Sequence, residues 1–564
     1  MSKSLWGMGL SLLVAAGCSS DEGPTLALPF CTGSGAQQNL AVGSCTVVDP
    51  LVTGDSAVFP ANTTGSQMEY VLVPFSASTT PDDSGAFMLQ GASAPAAPVA
   101  PTVAAMAGSP SSPAEEFHLF LRRAERDRVY PVPPQPNLAP QAQPAPLEPQ
   151  AAVTLTPADS GTIRSFKVCG DLKCDSVPTV RAVLMKIGRH IAIYVDSAAP
   201  QPGLTQSDLD AIRDVIDNRL YVVDTLAFGR ESDIDANHVV LVLMTNRVNQ
   251  LVTAAECNAS GYVGGYFFGG DIDPFFRGLF NSAEIFYSIV ADPGATLSCT
   301  HSVSQIKNSL PVTFVHEFQH MISYNQHVLV RRGQAEILWL NEGLSHYAEE
   351  RGGRSFLPLP AGDSTFCFFV RGDLYDAGQY LANPESHFLV DTSGIGGLAE
   401  RGAYWLFVRY LVDHFGGTGV LADADAFTRT LVQTGFTGAA NVTRHTNASF
   451  TDLVSRWALA NWVSDLPGFT APSALQYRSW AFRTDFPQFN QTCSNRIPSA
   501  FPLVPAVSQA SAVSLSGTLR AGSAWYYRAQ QGAAATGFIL RFTDPSGGAL
   551  RSSLVGRLGV IRIQ

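Results

Sequence analysis

The sequence has few charged residues and no run of Lys and Arg. Charged residues make up 15% of its 564 residues, and 36 Lys+Arg stand against 47 Asp+Glu, which gives a net charge of -11. Proteins that bind nucleic acid present a basic surface to the phosphates. The composition therefore argues against nucleic acid as a partner.

Long apolar runs are also missing after the first 17 residues, so the sequence predicts no transmembrane helix beyond them. The N-terminus itself combines Lys3 with an apolar stretch over 5–16 that is too short to span a bilayer. The segment from Leu13 to Cys18 resembles a bacterial lipobox, although Ala15 stands where the usual Leu lies. The resemblance implies a lipoprotein signal peptide over 1–17 and lipidation of Cys18, with anchoring to the outer membrane or cell surface. The alternative is an ordinary secretory signal that contains a cysteine.

No CxxC pair occurs, which argues against a zinc site built from cysteines. Eight cysteines remain after Cys18, and an even number in an exported chain predicts disulfides. Sequence proximity favours three pairs and leaves Cys367 and Cys493 without an assigned partner; the pairs are Cys31–Cys45, Cys169–Cys174 and Cys257–Cys299.

Composition divides the chain after the signal into four segments. Strand-like runs broken by Gly, Pro, Ser and Thr predict an N-terminal β domain over 18–92, and short alternating runs predict a C-terminal β module over 505–564. Residues 93–152 are rich in Pro and Ala, which predicts a linker in which cleavage could shed the anchored form. Within it, residues 115–128 predict a charged amphipathic helix. This helix is either a propeptide element that docks on the next domain or an ordered stripe in the linker.

The remaining segment, residues 153–500, has strand-like runs in its first part and helical patterns in its second part. Apolar runs at 180–185 and 191–195 predict a strand hairpin, a helix start is predicted at Thr205, and the run 239–244 is typical of a buried strand. Helical patterns dominate from about 305 to 465. A mixed sheet followed by helices predicts an α+β fold.

The most informative motif is HExxH, formed by His316, Glu317 and His320. Residues four apart share a helix face, so both imidazoles can point at one zinc ion. Glu317 would then take a proton from a zinc-bound water as it attacks a scissile carbonyl.

A catalytic zinc needs a third protein ligand. The metzincin pattern places another His ten residues after the first, where this chain has Gln326, so that pattern fails. His327 lies two turns beyond His320 on the same helix, roughly 10 Å further along at 1.5 Å per residue, which is too far for the same ion. A Glu from a second helix is the alternative, and residues 338–349 contain Asn341 and Glu342.

The motif around His316 and the Trp339–Ser345 segment resemble the gluzincin pattern, and the fuller match resembles the hyicolysin family of bacterial metalloendopeptidases. The resemblance covers about 160–470. It implies a zincin-type catalytic domain with His316, His320 and Glu342 as zinc ligands and Glu317 as the general base. Asn341 would support a ligand by hydrogen bonding. Rivals for the third ligand position are Glu336, His346 and Glu349.

Other roles stay open at the level of sequence. His346 occupies the position where thermolysin-like gluzincins carry an acid, and it either orients Glu342, lines the cleft or packs. The oxyanion needs an electrophilic partner; candidates by residue type are Tyr404, which we favour, and Tyr347, Tyr380 and His387. The edge strand for substrate is expected within 264–270 or 284–290. Asp271 and Asp273 suggest calcium, but two carboxylates are too few for a site.

The predicted function is a zinc-dependent endopeptidase that hydrolyses peptide bonds in extracytoplasmic proteins. The chain lacks the Gly-x-Met-Glu-Asn segment with which gluzincin aminopeptidases grip a free amine, which favours internal cleavage. The alternative is a surface-anchored binding or adhesion protein with a non-catalytic peptidase-like scaffold, although all four chemical positions are intact.

Overall fold

The computed structural model describes residues 27, 29–31, 35–92, 112–128, 155–392, 397–417 and 421–564. The fold is α+β, as predicted, with three sheets and a large helical region. Cys18, the signal segment and most of 93–152 lie outside the described residues.

The strands are β1 Cys45–Val48, β2 Ser56–Phe59, β3 Met68–Ser76, β4 Ser84–Gly91, β5 Ile163–Lys167, β6 Thr179–Ile187, β7 Ile191–Asp196, β8 Val240–Met244, β9 Gly265–Tyr266, β10 Ile285–Ser288, β11 Ala506–Gln509, β12 Ser514–Arg520, β13 Tyr527–Gln531, β14 Phe538–Thr543 and β15 Gly556–Arg562. The α-helices are α1 Pro50–Thr53, α2 Pro113–Arg126, α3 Gln206–Val215, α4 Tyr221–Phe228, α5 Asn246–Asn249, α6 Ala254–Ser260, α7 Val303–Tyr324, α8 Leu338–Arg354, α9 Gly362–Ala382, α10 Leu398–Phe415, α11 Leu421–Val432, α12 Gly438–Thr446, α13 Phe450–Val463 and α14 Phe482–Thr492.

A six-stranded sheet supports the predicted metal-binding helix. Its strand order is β5-β6-β7-β8-β10-β9, with β8 parallel to both β7 and β10 and with β9 antiparallel at one edge. The hairpin of β6 and β7 and the buried strand β8 confirm the sequence predictions. Every residue of β8 is buried, as expected of a central strand covered on both faces. Helix α7 packs on β9 and β10 and so lies at the open edge of the sheet.

The two terminal β segments form one sandwich, which differs from the two separate modules that the sequence predicted. Strand β3 pairs with β13 and β15, and β4 pairs with β12 and β14, so each sheet mixes strands from both ends of the chain. The buried side chains between the sheets form their own apolar core. Alternation along a strand shows which face is apolar, but it carries no information about a partner several hundred residues away.

Four disulfides link the remaining cysteines. The three predicted pairs are confirmed, and Cys367 pairs with Cys493, which joins α9 to the end of α14. Within the part of the chain that the structure describes, none of the helices has both the length and the apolar character needed to cross a membrane.

Helix α8 is held tightly between α7 and α10. A Cβ atom added to Gly343 would lie 2.8 Å from the carbonyl oxygen of Tyr404 and 2.8 Å from a methyl group of Val408, so the close approach of α8 and α10 requires glycine here. The neighbouring residue, Glu342, is thereby brought against α10.

A second contact between α8 and α10 centres on the buried carboxylate of Glu350. It accepts hydrogen bonds from Arg354 Nε at 2.7 Å, Arg409 Nη1 at 3.3 Å and Trp480 Nε1 at 3.0 Å on one oxygen, and from Trp405 Nε1 at 3.1 Å on the other. A fully buried carboxylate is tolerated because cations and indole N–H groups replace its hydration.

We expect Glu350→Ala to lower the free energy of unfolding by about 3–5 kcal/mol, because it removes one of the two carboxylates that pair with the buried Arg409 and leaves the indole N–H groups of Trp405 and Trp480 without an acceptor. The control is Asp214→Ala, which removes an exposed pair with Arg213 and should cost less than about 0.5 kcal/mol. Urea unfolding followed by circular dichroism measures both, and equal losses in the two variants would contradict the role given to Glu350.

Candidate metal centre

The three predicted ligands come together at the contact of α7 with α8. His316 Nε2 and His320 Nε2 lie 3.2 Å apart, His316 Nε2 lies 3.5 Å from Glu342 Oε2, and His320 Nε2 lies 3.6 Å from Glu342 Oε1. All three side chains are buried. Two turns of α7 and one of α8 therefore place three ligand atoms around one point.

This geometry fits a zinc ion. Two ligand atoms about 2.0–2.1 Å from a tetrahedral zinc are separated by about 3.3 Å, and the observed separations bracket that value. Neither oxygen of Glu342 accepts a well-aligned hydrogen bond from the described residues, although the carboxylate is buried and forms an ion pair with Arg401. An acceptor pair of this kind needs a cation or donors, and two imidazoles with one carboxylate are a donor set that zinc prefers.

The Nδ1 atom of each imidazole lies within hydrogen-bond distance of a side-chain oxygen that orients the ring. His316 Nδ1 lies 2.8 Å from Glu349 Oε1, and His320 Nδ1 lies 2.9 Å from Asn341 Oδ1. Hydrogen-bonded Nδ1 atoms leave both Nε2 lone pairs free for a metal. Asn341 therefore has the supporting position that the sequence predicted, and Glu349 supports a ligand as well.

The charges around the three predicted ligands keep the carboxyl group of Glu342 ionised. Burial raises the pKa of Glu342, but Arg401 and the two imidazoles outweigh it and hold the pKa well below its usual range. Burial lowers the pKa of His316, but contacts with Glu342 and Glu349 raise it overall to about 10. Burial holds the pKa of His320 well below its usual range. A metal ion would therefore replace one proton held at this site.

Glu317 lies beside the ligands without joining them. Its Oε2 accepts a hydrogen bond from the backbone N–H of Phe267 at 2.9 Å, and the side chain is buried. Burial raises the pKa of Glu317 to about 7, against the opposing effect of His316. A carboxylate with this pKa can take up and release a proton near neutral pH.

Two further residues carry polar groups toward the centre. His346 shares a face of α8 with Glu342; its ring lies 5.0 Å from that of His316, and its Nδ1 lies 2.9 Å from Asp373 Oδ1. Its Nε2 is buried and has no hydrogen-bond partner within the described chain. Arg401 of α10 places Nη1 3.1 Å from Glu342 Oε2. Sequence reasoning missed Arg401, because its place beside the ligand depends on the packing of α8 against α10.

The tyrosine favoured for the oxyanion is engaged elsewhere. The hydroxyl of Tyr404 donates to Asp391, and the side chain is buried. Among the other candidates, Tyr347 and Tyr380 are buried, and His387 Nδ1 lies 2.8 Å from Glu400. The described contacts thus connect His346, and none of these four, to the ligands.

Of the rivals for the third ligand position, Glu336 lies in another environment, whereas His346 and Glu349 lie beside His316 and form a second group of possible ligands with it. Glu336 accepts hydrogen bonds from Ile337, Gly438 and Asn441, and His327 lies 3.7 Å from it.

The carboxylates suggested for calcium, Asp271 and Asp273, already accept hydrogen bonds from protein groups. Asp271 accepts from Asn281 and Tyr287, and Asp273 accepts from Phe275 and Tyr324.

The expected edge of the sheet lies in the first of the two predicted segments. Strand β9 is the edge strand, and β10 lies inside the sheet between β8 and β9. Because Phe267 follows β9 directly and donates to Glu317, the edge of the sheet runs past the predicted metal-binding residues.

No protein-family model matches this chain, and no curated protein matches it.

Proposed function

We propose that the chain is a zinc-dependent endopeptidase of the gluzincin type that acts outside the cytoplasm. The observation that supports this most is the separation of 3.2–3.6 Å among the Nε2 atoms of His316 and His320 and the carboxylate of Glu342. This arrangement leaves a tetrahedral ion with an open fourth position, as catalytic zinc sites have. A structural zinc site would have its fourth position filled by protein.

These residues have separate roles in hydrolysis. His316, His320 and Glu342 would hold the zinc, which when bound acidifies a coordinated water and polarises a carbonyl. Glu317 acts as the general base, and the N–H of Phe267 fixes its carboxylate in place. His346 is assigned to the oxyanion, since its Nε2 lacks a partner among the described groups. Burial raises the pKa of Asp373 well above its usual range, so Asp373 can donate to His346 Nδ1 and leave the imidazole proton on Nε2.

The edge strand β9, which has no further strand beside it in the described part of the chain and lies next to the base, favours an extended peptide as the substrate. A peptide in β conformation can add to β9 and its continuation through main-chain hydrogen bonds, which are independent of side-chain identity. This mode of binding accepts internal segments of proteins. The four disulfides favour an oxidising compartment, and lipid anchoring through Cys18 remains part of the proposal.

The alternative is a binding or adhesion protein in which the peptidase-like domain is a scaffold. Zinc content and casein hydrolysis together separate the two, since a scaffold that keeps the three ligands can hold zinc but does not hydrolyse casein. We expect one zinc per chain by mass spectrometry of metals after dialysis of zinc-loaded protein. Protein that retains no zinc would contradict the proposal.

We expect Asn341→Ala to weaken zinc binding roughly 10- to 100-fold, because His320 Nδ1 loses the amide acceptor at 2.9 Å that orients its ring and keeps only the hydroxyl of Ser345 at 3.1 Å. Asn341→Asp keeps an acceptor there and should recover most of the affinity. Asn258→Ala, at an exposed position on α6, is the control. Competition with a zinc-binding dye measures the affinities, and equal affinities for all three variants would contradict the role of Asn341.

A further inference from the structure

Helix α2 covers the edge of the sheet beside the metal-binding residues. Its N-terminus is fixed locally, since the side chain of Ser112 accepts from Glu115 N and the side chain of Glu115 accepts from Ser112 N. Its apolar face is buried, and the ring of Phe117 packs edge-on against Tyr266 of β9 at 4.9 Å. The helix is therefore a packed element of the domain rather than an exposed stripe.

Polar side chains of α2 occupy the backbone groups that follow β9. Arg122 Nη2 donates to the carbonyl oxygen of Phe267 at 2.8 Å, and Glu125 Oε1 accepts from the N–H of Gly269 at 2.7 Å. These two residues also form an ion pair at 3.1 Å and are both buried. An added peptide strand would need the same carbonyl and N–H groups. A substrate bound in this way and α2 thus exclude each other.

The helix also reaches the general base. His118 Nδ1 lies 3.7 Å from Glu317 Oε1, and its ring lies 6.3 Å from the ring of His316. At its C-terminal end, Arg126 Nη1 donates to the carbonyl oxygen of Ala335, which lies just before α8. Helix α2 therefore contacts the sheet edge, the proposed base Glu317 and the segment that leads into α8.

The covalent connections of α2 differ from those of the rest of the domain. It joins the chain only through residues 93–111 and 129–154, which are rich in Pro and Ala, and no cysteine lies between Cys45 and Cys169. Hydrolysis of one peptide bond on each side, each with one water and giving a carboxylate and an amine, would free it. The strands before residue 92 would stay in place, because they pair with strands from the C-terminus.

We propose that α2 is an inhibitory segment that occupies the substrate cleft of the metal centre and leaves it after cleavage on both sides. This inference depends on the proposed peptidase function and defines its regulation. The intact chain is latent, and the doubly cut chain is active.

The test compares zinc-loaded full-length chains carrying Arg122→Glu or Arg123→Glu. Arg122 is buried against Phe267, whereas Arg123, the next residue, is exposed. We expect Arg122→Glu to raise casein hydrolysis ~10-fold or more over the intact wild type, because it shifts the population toward the open cleft, and Arg123→Glu to leave it unchanged. Measurable casein hydrolysis that is equal in the wild type and both variants would overturn the proposal.

A second readout separates this proposal from the peptidase function. The rate at which zinc passes from the protein to a chelating dye reports whether the centre is covered. If no variant hydrolyses casein, faster zinc transfer in Arg122→Glu alone supports the covering helix while the peptidase proposal fails. Equal rates of zinc transfer in the wild type and both variants overturn the proposal that α2 covers the metal centre.

A cleavable variant that keeps the wild-type contacts of α2 tests the proposal independently of whether Arg122→Glu folds. Recognition sequences for a site-specific protease are placed within 93–111 and within 131–152, and the folded protein is then cut at both. We expect the cut chain to show at least the same ~10-fold gain, and a synthetic peptide of residues 112–128 to reverse it. A cut chain that has lost the helix and is no more active than the intact one would overturn the proposal.

Discussion

We expect Glu317→Gln to lower peptide hydrolysis about 10³-fold, the typical contribution of a positioned general base, and to leave one zinc per chain in place. The amide keeps the size of the side chain and an acceptor for the N–H of Phe267, but it cannot take up a proton. Because Glu317 is not one of the three ligands, zinc content should not change. Hydrolysis of a quenched fluorescent peptide by the doubly cut chain, with zinc measured on the same sample, checks both statements.

The matched control is Glu256→Gln on α6. Glu256 is exposed and accepts hydrogen bonds from Thr253 at the start of its helix, and Gln serves equally well at this capping position. Its activity should equal that of the wild type. Undiminished hydrolysis by Glu317→Gln would mean that another residue is the base or that the activity belongs to a contaminant.

Glu342→Ala removes the only carboxylate among the three proposed ligands, and we expect this variant to lose its zinc on dialysis and with it all measurable hydrolysis. Two imidazoles alone do not complete a tetrahedral site. The loss of affinity should exceed the ~10- to 100-fold that follows loss of a supporting partner. Titration with zinc, followed by a competing dye, gives the affinity directly.

Glu349→Gln provides the comparison, since Glu349 also lies near His316 and His346. We assign Glu349 to the orientation of His316 through Nδ1, so Glu349→Gln keeps the ion and loses only that ~10- to 100-fold in affinity. The reverse result, zinc retained in Glu342→Ala and lost in Glu349→Gln, would identify Glu349 as the third ligand.

The centre could be predicted from the sequence to the extent that it depends on helix periodicity. His316 and His320 are one turn apart, so their convergence follows from 3.6 residues per turn. Glu342 was reached only through resemblance to the gluzincin pattern, and its distance from the imidazoles depends on how α7 and α8 pack. Arg401 carried no signal, because it lies on a third helix that meets Glu342 only in the folded chain.

The fold shows the same limit. Hairpins and buried strands such as β6–β7 and β8 follow from local patterns, and three disulfides followed from proximity in the sequence. The shared sandwich did not, because the pairing of β3 with β13 and β15 joins segments from opposite ends of the chain. The helix over 113–126 was predicted as a helix, but its place over the sheet edge depends on tertiary contacts of Arg122 and Glu125.

The central claim is metal-dependent peptide hydrolysis. It is tested most directly by removing and restoring the metal in the doubly cut chain that carries no other substitution. Casein hydrolysis is measured after treatment with a chelator, after dialysis, and again after zinc is added back. We expect activity to disappear with the chelator and to return in full with about one equivalent of zinc, the stoichiometry of a single catalytic site. Hydrolysis that persists without metal, or a zinc-loaded, helix-free chain that cleaves nothing, would contradict the claim.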